Sequence, residues 1–268
     1  MSQKVFKKLP YYLRIWLTVI KVSLSKVSAY RVEVASRILR GFLVLAVQVI
    51  FAKAIVGASN SYLGYTVNEI YLLSGIFNII GYTSWSLFGI NLGRLEEKIV
   101  KGDFDFVLFK PFSSIFGASF MEFFIDDAMT AISGYLLVGY YIYINFSQLT
   151  IIGVLMSIIA VICGILIWFS LDLIVASFDF IAIKTGIRSV RERANSIARF
   201  PMEIWNPTWQ LIFYTVFPVA LIGFLPMKIL VDPSNWYYLI YTIFVSLVFV
   251  LFARSVWYWA LKRYTSVG

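Results

Sequence analysis

The side chains that could do chemistry in this 268-residue chain are carboxylates and arginines, because there is no histidine and only one cysteine, Cys163. That inventory excludes zinc sites, disulfide frameworks and imidazole acid–base catalysis within one chain. No GxxxxGK[ST] phosphate loop occurs, so any ATP chemistry has to come from a separate polypeptide. Several carboxylates instead fall inside or beside apolar stretches, where an ionisable group is costly and therefore a functional suspect. Glu122 and Asp126 are four apart, which shares a helical face, with Asp127 beside them; Asp172 and Asp179 are seven apart and share another. Two accounts stand for Glu122, Asp126 and Asp127. They complement the dipole of a helix start, or with Asp172 they form an inner gate locked by Arg37, Arg40 or Arg94, to which Asp179 is a further candidate. Acids at the bilayer midplane would instead serve an ion-coupled secondary transporter or channel.

The second polar concentration is Gly93 to Phe112, GRLEEKIVKGDFDFVLFKPF. Arg94 to Val100, with Glu96 and Glu97, predicts about two helical turns, in which Glu97 precedes Lys101 by the four residues of a favourable helix pair. Gly102-Asp103 supplies a turn, Phe104, Phe106, Val107 and Phe109 present apolar bulk, and Pro111 stops the element. Such a piece is either an interfacial helix held by its own packing or a docking knob for a motor subunit.

The elements that position these groups are membrane spans. The chain is 60% hydrophobic and 18% aromatic with a mean hydropathy of +0.83, against roughly 45–50% apolar for a soluble domain. Windows of about 20 mostly apolar residues can be drawn at Val34 to Val56, Val67 to Leu92, Phe120 to Ile144, Leu149 to Ala176, Trp205 to Leu225 and Tyr237 to Trp257. Continuous apolar runs lack the period-two alternation of barrel strands, so the expected fold is an all-α integral membrane protein with six transmembrane helices in one domain, residues 1–268. Lysine and arginine crowd the N-terminal segment, the loops after spans two and four, and the tail, which places both termini in the cytoplasm. The net charge of +9 is thus a matter of topology and calls for no nucleic acid. The basic N-terminus reads as mature protein and not as a signal peptide.

Ahead of the first span, Arg14, Thr18, Lys21, Ser25 and Ser28 fall on one helical face between apolar residues, an amphipathic helix lying among lipid headgroups. Gly57 to Thr66 and Asn145 to Gln148 are short external turns that house no domain. Ile187 to Phe200 reads as a basic amphipathic piece below the bilayer. Asn206-Pro207, Pro218 and Pro226 break the fifth window, by a kink or a re-entrant segment. Phe77, Asn78, Tyr82, Trp85 and Phe88 put large and polar groups on neighbouring faces of span two, without defining a substrate pocket.

Three segments resemble type-two ABC exporter permeases: EEKIVKGDFDFVLFKPF from Glu96, RFPMEIWNPTWQLIFYTVFPVALIGFLP from Arg199, and LKRYTSVG from Leu261. Tyr30-Arg31 fits the same group weakly, and Phe200 stands where that group has Tyr before the first proline. The resemblance implies a permease subunit with no catalytic residue and no cofactor of its own. It would pair with a second permease subunit, identical or homologous, and with two ABC ATPase subunits that carry ATP and Mg, in a bacterial cytoplasmic (inner) membrane. It further implies that 94–111 is the coupling helix, with Arg94, Glu96, Glu97, Lys101, Gly102, Asp103, Phe104 and Pro111 in the ATPase groove, and that 11–28 is the connecting helix.

Overall fold

The computed structural model describes residues 2–28, 31–57, 61–182 and 186–265, with side chains left aside for 2–10, 26–28 and 31–34. Tyr30, Lys184 and the last three residues of the tail therefore lie outside the described residues, as do the side chains of Ser28, Arg31 and Glu33. Every named element among the described residues is helical. In chain order these are α1 (Ser2–Ser28), α2 (Arg31–Val56), α3 (Val67–Ser84), a π-turn (Trp85–Gly89), α4 (Ile90–Gly93), α5 (Leu95–Val100), α6 (Asp103–Leu108) and α7 (Ser114–Ser119). There follow α8 (Ile125–Thr130), α9 (Ile132–Ile144), α10 (Ile151–Phe178), α11 (Ile187–Ile197), α12 (Pro207–Thr215), α13 (Phe224–Val231) and α14 (Trp236–Leu261).

Among the described residues, three helices are long and apolar enough to cross a membrane: 35–56 in α2, α10, and 233–261 containing α14. The second window is one helical run from α3 to α4, interrupted by the π-turn, whose wider Ile90 N–H to Trp85 C=O bond has no signature in the sequence. The third window starts later than expected. Residues 120–124 are not helical, because the Asn91 amide grips the Glu122 backbone from both sides, donating to its C=O at 2.8 Å and accepting from its N–H at 3.1 Å. Glu122 and Asp126 consequently do not share a helical face. At the N-terminus α1 begins at Ser2, ahead of the expected Tyr11; Arg14, Thr18, Lys21 and Ser25 are exposed as the spacing predicts.

The fifth window is corrected more deeply. Trp205 to Leu225 is split into α12, a 3-10 turn at Val219–Leu221 and the start of α13. Helices of nine and eight residues reach only about 12–14 Å, well short of a roughly 30 Å hydrocarbon core. Pro218 breaks the run because it cannot donate to a continuing helix. These pieces gather where α10 and α14 begin: Ser157 Oγ donates to the Pro226 carbonyl at 3.0 Å, and Tyr241 Oη to that of Tyr214 at 2.6 Å.

The chain reaches that end through α11. Arg188 bonds the Leu92 carbonyl and Asp179 where α4 and α10 finish, Arg191 meets Asp172 one step deeper, Arg199 lies over the Phe77 ring, Phe200 packs on Phe51, and Glu203 accepts from Tyr65 at the α2–α3 turn. The basic stretch expected below the bilayer thus runs the length of the bundle. Tyr65 is presented by a tight hairpin turn in which Leu63 and Gly64 both have positive φ, 53° and 84°.

Close packing is built on small residues. A Cβ at Gly134 in α9 would lie 2.6 Å from the Gly75 carbonyl oxygen of α3, an approach that only glycine permits and that membrane helix pairs exploit. Beside it, Gln48 and Asn78 exchange two 2.8 Å amide hydrogen bonds and Asn78 also donates to Ser133, tying α2, α3 and α9 together.

Candidate functional site

The α5–α6 hairpin projects between the end of α4 and α7. Gly102 closes it at φ 74°, ψ 1°, the left-handed region that a side chain disfavours. Lys101 Nζ lies 2.6 Å from Glu97 Oε1, the pair the spacing anticipated, and each partner holds the other in its charged form, lowering the Glu97 pKa and raising that of Lys101. The hairpin sorts its apolar residues into two sets. Phe104 is 0% exposed and Val107 is buried, whereas Phe106 is 68% and Phe109 86% exposed, with Val100 and Leu108 also open. Four outward apolar side chains ringed by Glu97, Lys101, Asp103, Lys110 and Pro111 make a surface suited to a protein groove.

The inward set roots the hairpin in the bundle. The Phe104 ring packs against Phe180 just beyond α10 at 5.1 Å, against Tyr264 in the tail at 5.6 Å and against Trp257 of α14 at 6.4 Å between centroids. Such pairs contribute about 0.5–1.5 kcal/mol each beyond area burial. Tyr264 Oη donates to Asp105 Oδ1 at 2.9 Å, and Trp257 Nε1 donates to Ser114 Oγ at 3.0 Å. Displacing the hairpin therefore pulls on the ends of both long helices. α1 joins the same end: Tyr12 packs on Phe116 at 4.8 Å and accepts from the Ser113 backbone N–H.

The gate candidates meet in separate ion pairs. Arg37 pairs with Asp126 at 2.8 Å, Arg40 with Asp127 at 3.2 Å, and Arg94 with Glu122 at 3.2 Å. Asp172 and Asp179 meet the arginines of α11 instead: Arg191 Nη2 sits 2.7 Å from Asp172 Oδ1, off the hydrogen-bonding direction, and Arg188 Nη2 donates to Asp179 Oδ2 at 3.0 Å. Burial raises the Asp179 pKa from 3.8 to about 6 against the pull of Arg188, and Glu96 adds to the rise. Each of these five carboxylates thus has a guanidinium partner.

A sequence model described as ABC-2 family transporter protein matches residues 42–268, which takes in every element from the middle of α2 to the tail. The chain belongs to the ABC-2 transporter family. No curated protein and no solved structure matches it. Membership makes it an ABC-2 permease, a multi-pass membrane subunit of an ABC transporter.

In the permease several site residues went unnoticed from sequence. Arg188 and Arg191 belong to the stretch that reads as a basic amphipathic piece; the signal that could have found them is the seven-residue Asp172/Asp179 step opposite an arginine pair three apart. Glu203 was missed altogether. It accepts from Tyr65 at 2.7 Å and lies 3.2 Å from Lys228, whose ammonium stands 4.8 Å from the Tyr65 ring centre. Burial, reinforced by the Glu203 carboxylate, pushes the Tyr65 hydroxyl far above its ordinary pKa of 10.0. Phe77, Asn78, Tyr82 and Trp85 line cavities between α3, α10 and α11, with Trp168 and Arg199 across from them. Phe88 is buried against Phe120 and Phe169 instead.

Proposed function

We propose that this permease is the transmembrane subunit of an ATP-driven exporter, forming the translocation path with a second permease subunit, identical or homologous. Separate ABC ATPase subunits, which carry the ATP and Mg, dock on the α5–α6 hairpin, so this chain is non-catalytic. The supporting observation is the two-faced hairpin: Val100, Phe106, Leu108 and Phe109 point away from the bundle while Phe104 and Asp105 are tied to α10, α14 and the tail. Motor closure would push the outer set and, through the inner set, tilt the long helices between inward- and outward-facing arrangements, a shift driven by differential nucleotide binding.

Six crossings remain the reading, with the fifth reassigned. They are α2, the α3–α4 run, α8–α9, α10, α11 with its extension to Trp205, and α14, which leaves both termini in the cytoplasm of a bacterial inner membrane. α12 and α13 are re-entrant pieces on the outer side. An α11 crossing carries Glu192, Arg193 and Arg199 on its exposed face, and charge at that depth faces water or protein, not lipid. That face belongs to the path or to the second permease. The alternative, an ion-coupled secondary transporter or channel, would have to work through carboxylates that each pair with an arginine.

Reversing Glu97 and Asp103 to Lys tests the docking assignment. Both are exposed, so membrane insertion should be unchanged while the motor is released or its ATP hydrolysis is uncoupled from transport. Unchanged assembly and transport would sink it.

A further inference from the structure

Three adjoining cavities open at the junction of α2, α3, the π-turn, α10 and α11, and all three have Phe77 and Arg199 in their walls. Their volumes are about 80, 210 and 230 Å³. Arg188, Arg191, Arg37, Arg40 and Arg94 each meet a carboxylate, whereas among the described residues Arg193 and Arg199 form no ion pair, and of these two it is Arg199 that lines the cavities. Its guanidinium stands 5.0 Å from the Phe77 ring centre, an arrangement that fixes the cation without neutralising it.

The walls supply the rest of a ligand's description. Trp85 and Trp168 face the first two cavities, and the third extends to Val47 and Phe51, exposed on the membrane-length helix α2. Glu192 borders only the 210 Å³ cavity, so an anion is favoured in the other two, which Arg199 lines without a carboxylate. We propose that this junction binds an anionic amphiphile. A phosphate or carboxylate head is held by Arg199, a flat or apolar body lies on Phe77, Trp85 and Trp168, and a tail leaves toward lipid past Val47 and Phe51. This deepens the exporter reading by giving its substrate class, and it rests on that reading only for the transport step.

The test is equilibrium binding to the full chain in phosphatidylcholine nanodiscs, without the ATPase, using dodecyl phosphate, dodecyl trimethylammonium and dodecyl maltoside as probes. Dodecyl phosphate should bind at least tenfold more tightly than either of the others, Arg199→Gln should remove at least tenfold of that affinity, and Arg199→Lys should restore part of it. Ser196→Asp, at an exposed position lining the 230 Å³ cavity with Arg199, brings a negative charge to the head, should weaken dodecyl phosphate and not the cation, and serves if Arg199→Gln does not fold. Equal affinity for the three probes, or an unchanged Arg199→Gln variant, would overturn the proposal. Adding phosphatidic acid to the nanodisc identifies the source: competition points to a membrane lipid, and its absence to a free amphiphile. Because the ATPase is left out, failure of binding is distinguishable from failure of the motor assignment.

Discussion

Phe104→Ala separates the two faces of the α5–α6 hairpin. The side chain is 0% exposed and its ring meets three others at 5.1, 5.6 and 6.4 Å. Truncating a buried phenylalanine to alanine costs about 3–5 kcal/mol, and here the loss falls at the joint between the hairpin, α10, α14 and the tail. The outward residues Val100, Phe106, Leu108 and Phe109 are untouched, so the ATPase should still bind. The expected phenotype is a lower unfolding temperature in detergent and an ATPase that hydrolyses ATP without driving transport. Phe106→Ala, at a position 68% exposed, should do the reverse, leaving the unfolding temperature unchanged while weakening ATPase capture. Co-purification and thermal unfolding of the two variants side by side decide the matter. The reasoning is refuted if Phe104→Ala is as stable and as well coupled as the wild type, or if Phe106→Ala is the variant that unfolds.

Three more outcomes are expected. Arg191→Met strands the buried Asp172 carboxylate and should cost about 3–5 kcal/mol, most of it recovered in the Asp172→Asn/Arg191→Met double variant; chemical denaturation in detergent compares them. Gly134→Ala, whose Cβ would press on backbone at 2.6 Å, should destabilise by about 1–3 kcal/mol, whereas Gly139→Ala, with nothing within 4 Å, should be neutral in the same assay. Asp179 has a folded-state pKa of about 6, above its ordinary 3.8, so the folded chain takes up this proton before the unfolded one. Its contribution to stability therefore rises as pH falls through about 6. Asp179→Asn should be at least as stable as the wild type at pH 7.5, since Arg188 keeps the Leu92 carbonyl, and the gap should narrow as pH falls from about 6 toward 3.8; a marked loss at pH 7.5 alone would contradict this.

The hairpin was legible in the sequence because its signals are local: the Glu97–Lys101 spacing, a glycine at the one left-handed position, and Pro111 at the end. Which of its phenylalanines turn inward was not, since Phe104 is buried by partners up to 160 residues away. The course of α11 was illegible for a related reason. Its arginines look solvated until Asp172 and Asp179 are set opposite them, and its low hydropathy hides a segment that runs through the bundle. The apolar window from Trp205 misled in the other direction, because composition alone cannot tell a span from two short helices separated by Pro218. The early acids were misread as one face because the Asn91 grip on Glu122 is a tertiary contact that overrides helical spacing.

The central claim is that a separate ATPase drives this permease through the α5–α6 hairpin. Its most direct test is to pull down the tagged chain from native membranes in mild detergent and identify what comes with it, alongside a Phe106/Phe109 double alanine variant. The account predicts a stoichiometric polypeptide with a phosphate-binding loop on the wild type and its loss from the variant. Reproducible absence from the wild type, under conditions that keep a reference ABC transporter intact, would contradict it, as would undiminished capture by the variant.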